Sequence, residues 1–258
     1  MHLFPIVEWN GLKFDLSAIF AILVSCVITF VVARLAVRNL SVENPSKMQN
    51  FMEWVAEFMH STIASSMPVH KVRPYLALGM TLIMFIFISN LLGLPLLVVT
   101  DIHEPMEWLG ITADYLNSHG GAAHMAWWKS PTADLSVTAG LALVVFVLVH
   151  YLGLKLNRKH YLHHYLHPYP VFLPVNIIET FAKPLTLALR LYANIYAGEV
   201  LISTILKIGY FGIPFMIAWQ GFSIFVGAIQ AFLFTVLTMV YISQATVHDD
   251  HEQVEHKH

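Results

Sequence analysis

The sequence predicts an all-α, polytopic membrane protein with about five membrane helices, plus one amphipathic helix at the membrane interface. The last two membrane helices are expected to form a long, steeply tilted hairpin. Hydrophobic residues make up 57% of the 258 positions and charged residues only 12%, too apolar a balance for a soluble domain. Apolar runs of about 20 residues, the length that crosses a bilayer core of about 30 Å, recur along the chain. Basic residues gather on alternate sides of these runs, which gives each span a direction. The net charge of −2 offers no basic surface for nucleic acid, and the lone Cys26, inside an apolar run, excludes a disulfide framework.

The chain reads as one membrane domain, 1–258. The first span covers residues 16–37. Arg34 and Arg38 close it instead of preceding it, so the N-terminus does not read as a signal peptide and is expected outside. Residues 45–66 read as an amphipathic helix, with Pro45 suited to its first turn. Met48, Phe51, Met52, Val55, Phe58, Met59 and Ile63 recur at helical spacing, while Lys47, Gln49, Glu53, Glu57 and His60 fall elsewhere on the wheel. That pattern suits a helix lying along the cytoplasmic interface.

The second span, residues 75–100, follows Lys71 and Arg73, and Asn90, Gly93 and Pro95 interrupt its outer half. The loop 101–133 carries Asp101, Glu104, Glu107 and Asp114 against Lys129, together with Trp108, Trp127 and Trp128. An acidic loop bearing tryptophans fits the outer interface. The third span, residues 134–154, returns to Lys155, Arg158 and Lys159 on the cytoplasmic side. His160, His163, His164 and His167 follow; they read as interfacial histidines beside basic residues rather than metal ligands, and no metal or cofactor is expected.

The last third is weakly interrupted. As a helix, residues 170–206 would extend about 54 Å, so the segment has to tilt strongly, bend near Pro174 or Pro184, or lie partly along the membrane. Residues 214–247 repeat the problem, with Gly209, Gly212 and Pro214 forming the turn between. The polar, histidine-rich tail 248–258 is expected to be disordered and cytoplasmic.

Arg190 lies deep in this apolar stretch. A charge at the bilayer centre costs roughly 3 kcal/mol on insertion scales, and arginine cannot escape by losing its proton. At 100° per residue, Lys183, Asn194, Glu179 and Thr186 all fall within about 40° of Arg190, while Glu199 lies at about 180°. Ser203, Tyr196 and Tyr192 cluster on the Glu199 side. Two opposed polar faces on one helix suggest two separate aqueous paths flanking one cation. Glu179 and Lys183, spaced i, i+4, also suit a simple ion pair. The next helix has its own stripe of Gln220, Ser223, Gly227, Gln230, Thr238 and Tyr241. Gln230 offers hydrogen bonds without charge, Gly227 allows close helix approach, and Ser223 can bond its own helix backbone.

The run Leu189-Arg190-Leu191-Tyr192-Ala193-Asn194-Ile195-Tyr196-Ala197-Gly198-Glu199 resembles the signature of the subunit a family of bacterial F-type rotary ATP synthases. Pro45 to Trp54, Phe87 to Pro95, Pro131 to Leu135 and Ile229 to Phe232 are similar to further segments of that family, in the same order. The resemblance implies a non-catalytic stator subunit of the proton-translocating sector, in the bacterial inner membrane, whose partners are a c-ring rotor, a b-subunit peripheral stalk and lipid. It implies that Arg190 faces the essential c-ring carboxylate. Glu199 would line the half-channel open to the outside, Asn194 and Gln230 the site near Arg190, and Asn90 the outer half-channel. Glu179, Ser223 and Ser203 are further half-channel candidates.

Some members carry histidine where this chain has Ser223, and some an acidic residue where it has Gly93. Serine does not titrate, so a relay here has to use Glu199, other groups or water. The competing readings are a secondary transporter, with Arg190 binding an anionic substrate, and an intramembrane metalloenzyme built on the histidines. No convincing repeat or H-E-x-x-H motif supports either. A pure, tag-free preparation is expected to hold no stoichiometric zinc by elemental analysis; one zinc per chain would revive the metalloenzyme.

Overall fold

A computed structural model of the chain describes residues 5–9, 11–93, 99–106, 114, 116, 123–128, 130–156 and 173–246. Six α-helices stand among these residues: α1 (Leu16–Val37), α2 (Lys47–Ala64), α3 (Val69–Leu92), α4 (Leu135–Leu156), α5 (Leu173–Leu206) and α6 (Ile213–Thr246). Five helical segments are long and apolar enough to cross a membrane. The tail 248–258 and the histidines at 160, 163, 164 and 167 lie outside the described residues.

The N-terminal segment is a hairpin. Strands β1 (Ile6–Trp9) and β2 (Leu12–Asp15) pair antiparallel, with Gly11 at φ 78° in the turn. Asp15 ends β2 and caps α1, accepting from the Ser17 and Ala18 amides at 2.9 and 3.2 Å. Inside α1, Ser25 and Thr29 bond the carbonyls of Ala21 and Ser25 at 2.8 and 2.7 Å, which hides both hydroxyls from lipid.

The Ser46 hydroxyl caps α2 by accepting from the Gln49 amide at 3.1 Å, so Pro45 lies before the cap and not in the first turn. Val55, Met59 and Ile63 of α2 are buried against the bundle, while Met48, Phe51, Trp54 and Phe58 remain exposed. The helix thus carries a packed stripe and a separate exposed apolar stripe, the pattern of a helix lying on a membrane.

The expected span 75–100 is displaced: α3 starts at Val69 and ends at Leu92. Charged first turns bearing Lys71 and Arg73 extend the helix below the apolar core, since such side chains reach back to water. At the other end Gly93 is the C-cap, and Pro95 has no N–H with which to continue. Residues 99–100 belong instead to β3 (Val99–Ile102), which pairs antiparallel with β4 (Ala123–Ala126). A 3-10 turn, Pro131–Ala133, then leads into α4.

Helices α5 and α6 have 34 residues each, about 51 Å at 1.5 Å per residue, against a bilayer core of about 30 Å. They pack on each other; α4 packs on both, and α3 packs along α6. The core holds Met59, Ile63, Val72, Ile86, Leu191, Phe234, Met239 and Ile242. Gly79 lets α2 approach α3, since a Cβ there would stand 2.9 Å from Met59 Cε. Far along α6, Ser243 Oγ donates to the Ser66 carbonyl at 2.5 Å and so fastens the helix to the α2–α3 turn.

The hairpin turn is held by two glycines. Gly209 adopts φ 69°, a region that favours glycine. It opens a 3-10 turn, Gly209–Gly212, that runs into α6, where Pro214 sits in the first turn and its missing N–H costs nothing. A Cβ on Gly212 would lie 2.6 Å from the Ile205 carbonyl oxygen, a backbone atom that cannot swing aside. Gly212→Ala should therefore destabilise the chain by about 1–3 kcal/mol. Gly140→Ala, whose Cβ meets nothing within 4 Å inside a helix, should be neutral or stabilising by up to about 1 kcal/mol. Thermal unfolding of the purified proteins checks this, and equal curves would show that the turn relaxes freely.

Candidate functional site

Arg190 sits near the middle of α5. The buried positions of that helix are Leu187, Ala188, Leu191, Ile195, Gly198 and Ile205. At 100° per residue they fall at about 60–160° from Arg190, which therefore borders the packed face, with Glu199 just past its far edge. On the opposite side Leu189, Ala193, Tyr196 and Val200 are exposed. Arg190 itself is exposed, and among the described residues it has no ion-pair or hydrogen-bond partner. Glu179, Glu199 and Ser203 belong to α5, but their side chains lie outside what the structure describes.

One turn along, Asn194 Nδ2 donates to Gln230 Oε1 at 2.9 Å and joins α5 to α6. Gln230 is 2% exposed, so this bond fixes a carboxamide in the helix interface beside the arginine. Lys183, on the same stripe, places its Nζ 5.6 Å from the centre of the Tyr241 ring, a cation–π contact to the same neighbour. On the Glu199 side of the helix, Tyr192 and Tyr196 stack with centroids 5.4 Å apart.

Asn90 is committed elsewhere. Its Nδ2 donates to the Gly227 carbonyl at 2.9 Å, and its Oδ1 accepts from Thr132 Oγ1 at 2.7 Å. A Cβ on Gly227 would stand 3.2 Å from Asn90 Cβ, so the glycine is what lets α3 and α6 meet here. Asn90 and Ser223 share a crevice too narrow to admit water.

Beyond it lies a cavity of about 210 Å³, walled by Asn194, Ile195 and Gly198 of α5 and by Trp219, Phe222 and Ser223 of α6, with Gly93 at its border. The cavity thus brings together Asn194 and Ser223, but not Asn90 or Gln230. Gly93 is tightly held: a Cβ there would stand 2.2 Å from Ser130 Cβ and 3.0 Å from Ser130 Cα. An acidic side chain at this position would have to displace that backbone, which accounts physically for glycine.

Three participants were not anticipated from the sequence. Thr132 holds Asn90, Ser130 packs on Gly93 and bonds the Ser89 carbonyl at 3.0 Å, and Trp219 walls the cavity. Ser130 and Thr132 belong to the short 3-10 turn before α4, where hydroxyl residues are ordinary, and Trp219 lies in an apolar helix, where an aromatic suggests packing alone. Among the described residues no group of three or more histidine, cysteine or carboxylate side chains is placed to hold a metal ion.

Five helices long and apolar enough to cross a membrane, one of them carrying an exposed arginine near its middle, define a multi-pass membrane protein. Residues 18–243 match the family described as ATP synthase A chain. "ATP synthase subunit a" of Anoxybacillus flavithermus is 47% identical over 257 residues, covering 96% of this chain and 99% of its own. The proteins of the same name from Priestia megaterium and Bacillus subtilis are 44% and 43% identical, each matched over 99% of its own length and over 97% and 96% of this chain. The chain belongs to the ATP synthase A chain family.

Asn90 links three elements through one carboxamide, so Thr132→Val should leave its buried Oδ1 without that donor and cost about 1–3 kcal/mol. Thr132→Ser, which keeps the hydroxyl, should cost less. Thermal denaturation of the two variants checks the order, and a loss in Thr132→Ser as large as that in Thr132→Val would show that the methyl packing matters as much as the hydroxyl.

Proposed function

We propose that Arg190 is the fixed charge that meets a carboxylate on a rotating ring, and that two water paths reach it from opposite sides of the membrane. As a family member the chain is a non-catalytic, proton-translocating stator subunit of an F-type ATP synthase, embedded with the other subunits of the membrane sector. The single observation that carries the role of Arg190 is its position: exposed, without a partner among the described residues, on the outer side of an apolar helix. A guanidinium in an apolar helix calls for an anion, and a carboxylate of a neighbouring subunit can supply it. The exposed Ala193 and Ala197 beside it keep the surface low, so that a partner helix can come close.

The chemistry follows from charge. A proton enters from outside through a path containing Glu199 and neutralises a ring carboxylate, which can then face lipid. The ring turns until that carboxylate reaches the cytoplasmic path and releases the proton. Arg190 favours the ionised carboxylate and stops protons from passing directly between the paths. Asn194 and Gln230 hold the helix interface beside the arginine, Ser223 and Ser203 belong to the outer path, and Glu179 to the other. Asn90 acts on the outer path through α6, by fixing the helix at Gly227. The c-ring and a b-subunit stalk are the partners, the N-terminus lies outside, and the C-terminus lies in the cytoplasm. Nothing in the fold or the relatives favours the anion-transporter alternative.

ATP-driven acidification of inverted membrane vesicles tests this. Arg190→Ala should abolish pumping while the complex still assembles. Arg190→Lys should fail as well, because a desolvated ammonium can shed its proton and a guanidinium cannot. Normal pumping by Arg190→Ala would make the arginine structural and overturn the assignment.

A further inference from the structure

Helices α5 and α6 are longer than the bilayer core is thick, so hydropathy alone does not set how deep they sit. A helix of ordinary span length settles where its apolar run meets the two interfaces. One of about 51 Å can slide along its axis or change its tilt with little change in buried apolar surface. The depth of Arg190 is therefore not fixed by the helix that carries it.

Helix α3 has a defined depth. Its 24 residues extend about 36 Å, and each end carries an interfacial anchor. Lys71 and Arg73 stand in its first turns, and at the other end the Trp128 indole N–H donates to the Leu92 carbonyl at 2.9 Å. Helix α6 is fastened to α3 at both of these ends. At one, Asn90 Nδ2 donates to the Gly227 carbonyl at 2.9 Å. At the other, Lys71 Nζ lies 3.5 Å from the carbonyl oxygen of Thr246, the last residue of α6, and Ser243 Oγ donates to the carbonyl of Ser66 in the turn before α3. The lysine contact is long for a hydrogen bond, but a cation at a helix C-terminus also attracts carbonyls that have no partner within the helix. Between the two ends α3 and α6 touch again at Gly79, where a Cβ would stand 3.5 Å from Met239 Cε. Lys71 and Asn90 are about 28 Å apart along α3, and Gly227 and Thr246 are separated by the same number of residues along α6. The two helices are thus antiparallel and in step over nearly the whole bilayer core of about 30 Å.

We infer that Lys71 and Ser243 are positioning residues: with Asn90 they lock α6 to α3 in one register, and that register sets the depth of Arg190 in the membrane. This rests on the proposed role of Arg190. The link to the arginine runs through Asn194, which donates to Gln230 of α6 at 2.9 Å, and through the tight turn Gly209–Gly212 that joins the two long helices. A slip of α6 by one turn would move it about 5.4 Å along its axis. Arg190 would move with it, away from the level at which a ring carboxylate passes.

The test uses the assembled complex in vesicles of phosphatidylcholines whose acyl chains run from about 14 to about 22 carbons, which varies the thickness of the bilayer core. ATP-driven pumping per assembled complex is compared for wild type, Arg190→Ala and the double variant Lys71→Met with Ser243→Ala. Wild type should stay within about two-fold of its best rate across the series, because α3 holds the hairpin in place. The double variant should match wild type in the bilayer where wild type is fastest, and fall about three- to ten-fold below it at either extreme. A loss of stability alone lowers pumping by the same factor at every thickness; that result, or no difference from wild type, overturns the inference. If the double variant does not assemble, Ser243→Ala alone is read by the same criterion. A steep thickness dependence in wild type overturns the inference whatever the variants do. Arg190→Ala separates the two failures. Pumping lost there, with a double variant that follows wild type at every thickness, ends only this inference, whereas pumping retained in Arg190→Ala ends the function on which it rests.

Discussion

A guanidinium that keeps its charge at membrane depth is the constraint on which the rest of this chain depends. The cost of roughly 3 kcal/mol for such a group has to be met by helix packing elsewhere. It is met on the adjoining flank of α5, where Leu187, Ala188, Leu191 and Ile195 are buried. Arg190 borders this packed face and does not lie within it. Had it lain at the centre, its charge would have demanded a partner inside the chain, and the helix pair would have closed around an internal ion pair.

Helix α6 is the element that holds α5 in that posture. Its buried side carries Ser223, Gly227, Gln230, Thr235 and Thr238, small or hydroxyl-bearing for the most part. In lipid, apolar side chains gain little by leaving the bilayer, so close approach and hydrogen bonds do more of the work of helix association. Gly227 gives the close approach to Asn90, and Gln230 gives the bond to Asn194. Thr235 and Thr238 bond the carbonyls of Ala231 and Phe234 at 2.9 and 2.8 Å, which satisfies their hydroxyls without using a neighbour. The same seam thus sets the α3–α6 distance and the α5–α6 register one helical turn from the arginine.

Much of this was legible in the residues because bilayer physics is one-dimensional. A charge-free run of sufficient length becomes a helix whatever packs against it, so α1 and α4 could be placed closely from hydropathy. The ends of α3 could not. Its start is extended by Lys71 and Arg73, which hydropathy counts as outside the span, and its end is cut by Gly93, where Ser130 leaves no room for a side chain. The two short hairpins escaped for a related reason: β1–β2 and β3–β4 are four residues per strand, too short to show an alternation. Arg190 was legible because its cost needs no structure to compute. Thr132 and Trp219 were not, because their significance lies in what stands opposite: a carboxamide from α3 in one case, an open chamber in the other.

The border position of Arg190 also bears on how a rotary machine of the proposed kind avoids stalling. Moving one charge through 100 mV supplies about 2.3 kcal/mol. Breaking a buried ion pair by removing a partner costs about 3–5 kcal/mol, more than that supply. A dry, enclosed pair between Arg190 and a ring carboxylate would therefore hold the ring in place. An arginine on the rim of the packed face, one turn from Asn194, which borders a cavity with room for water, would keep part of its hydration in such a machine. Solvation weakens the pair because the Coulomb term falls as the local dielectric rises. The features that make the charge tolerable at membrane depth are then the same ones that let each carboxylate leave it.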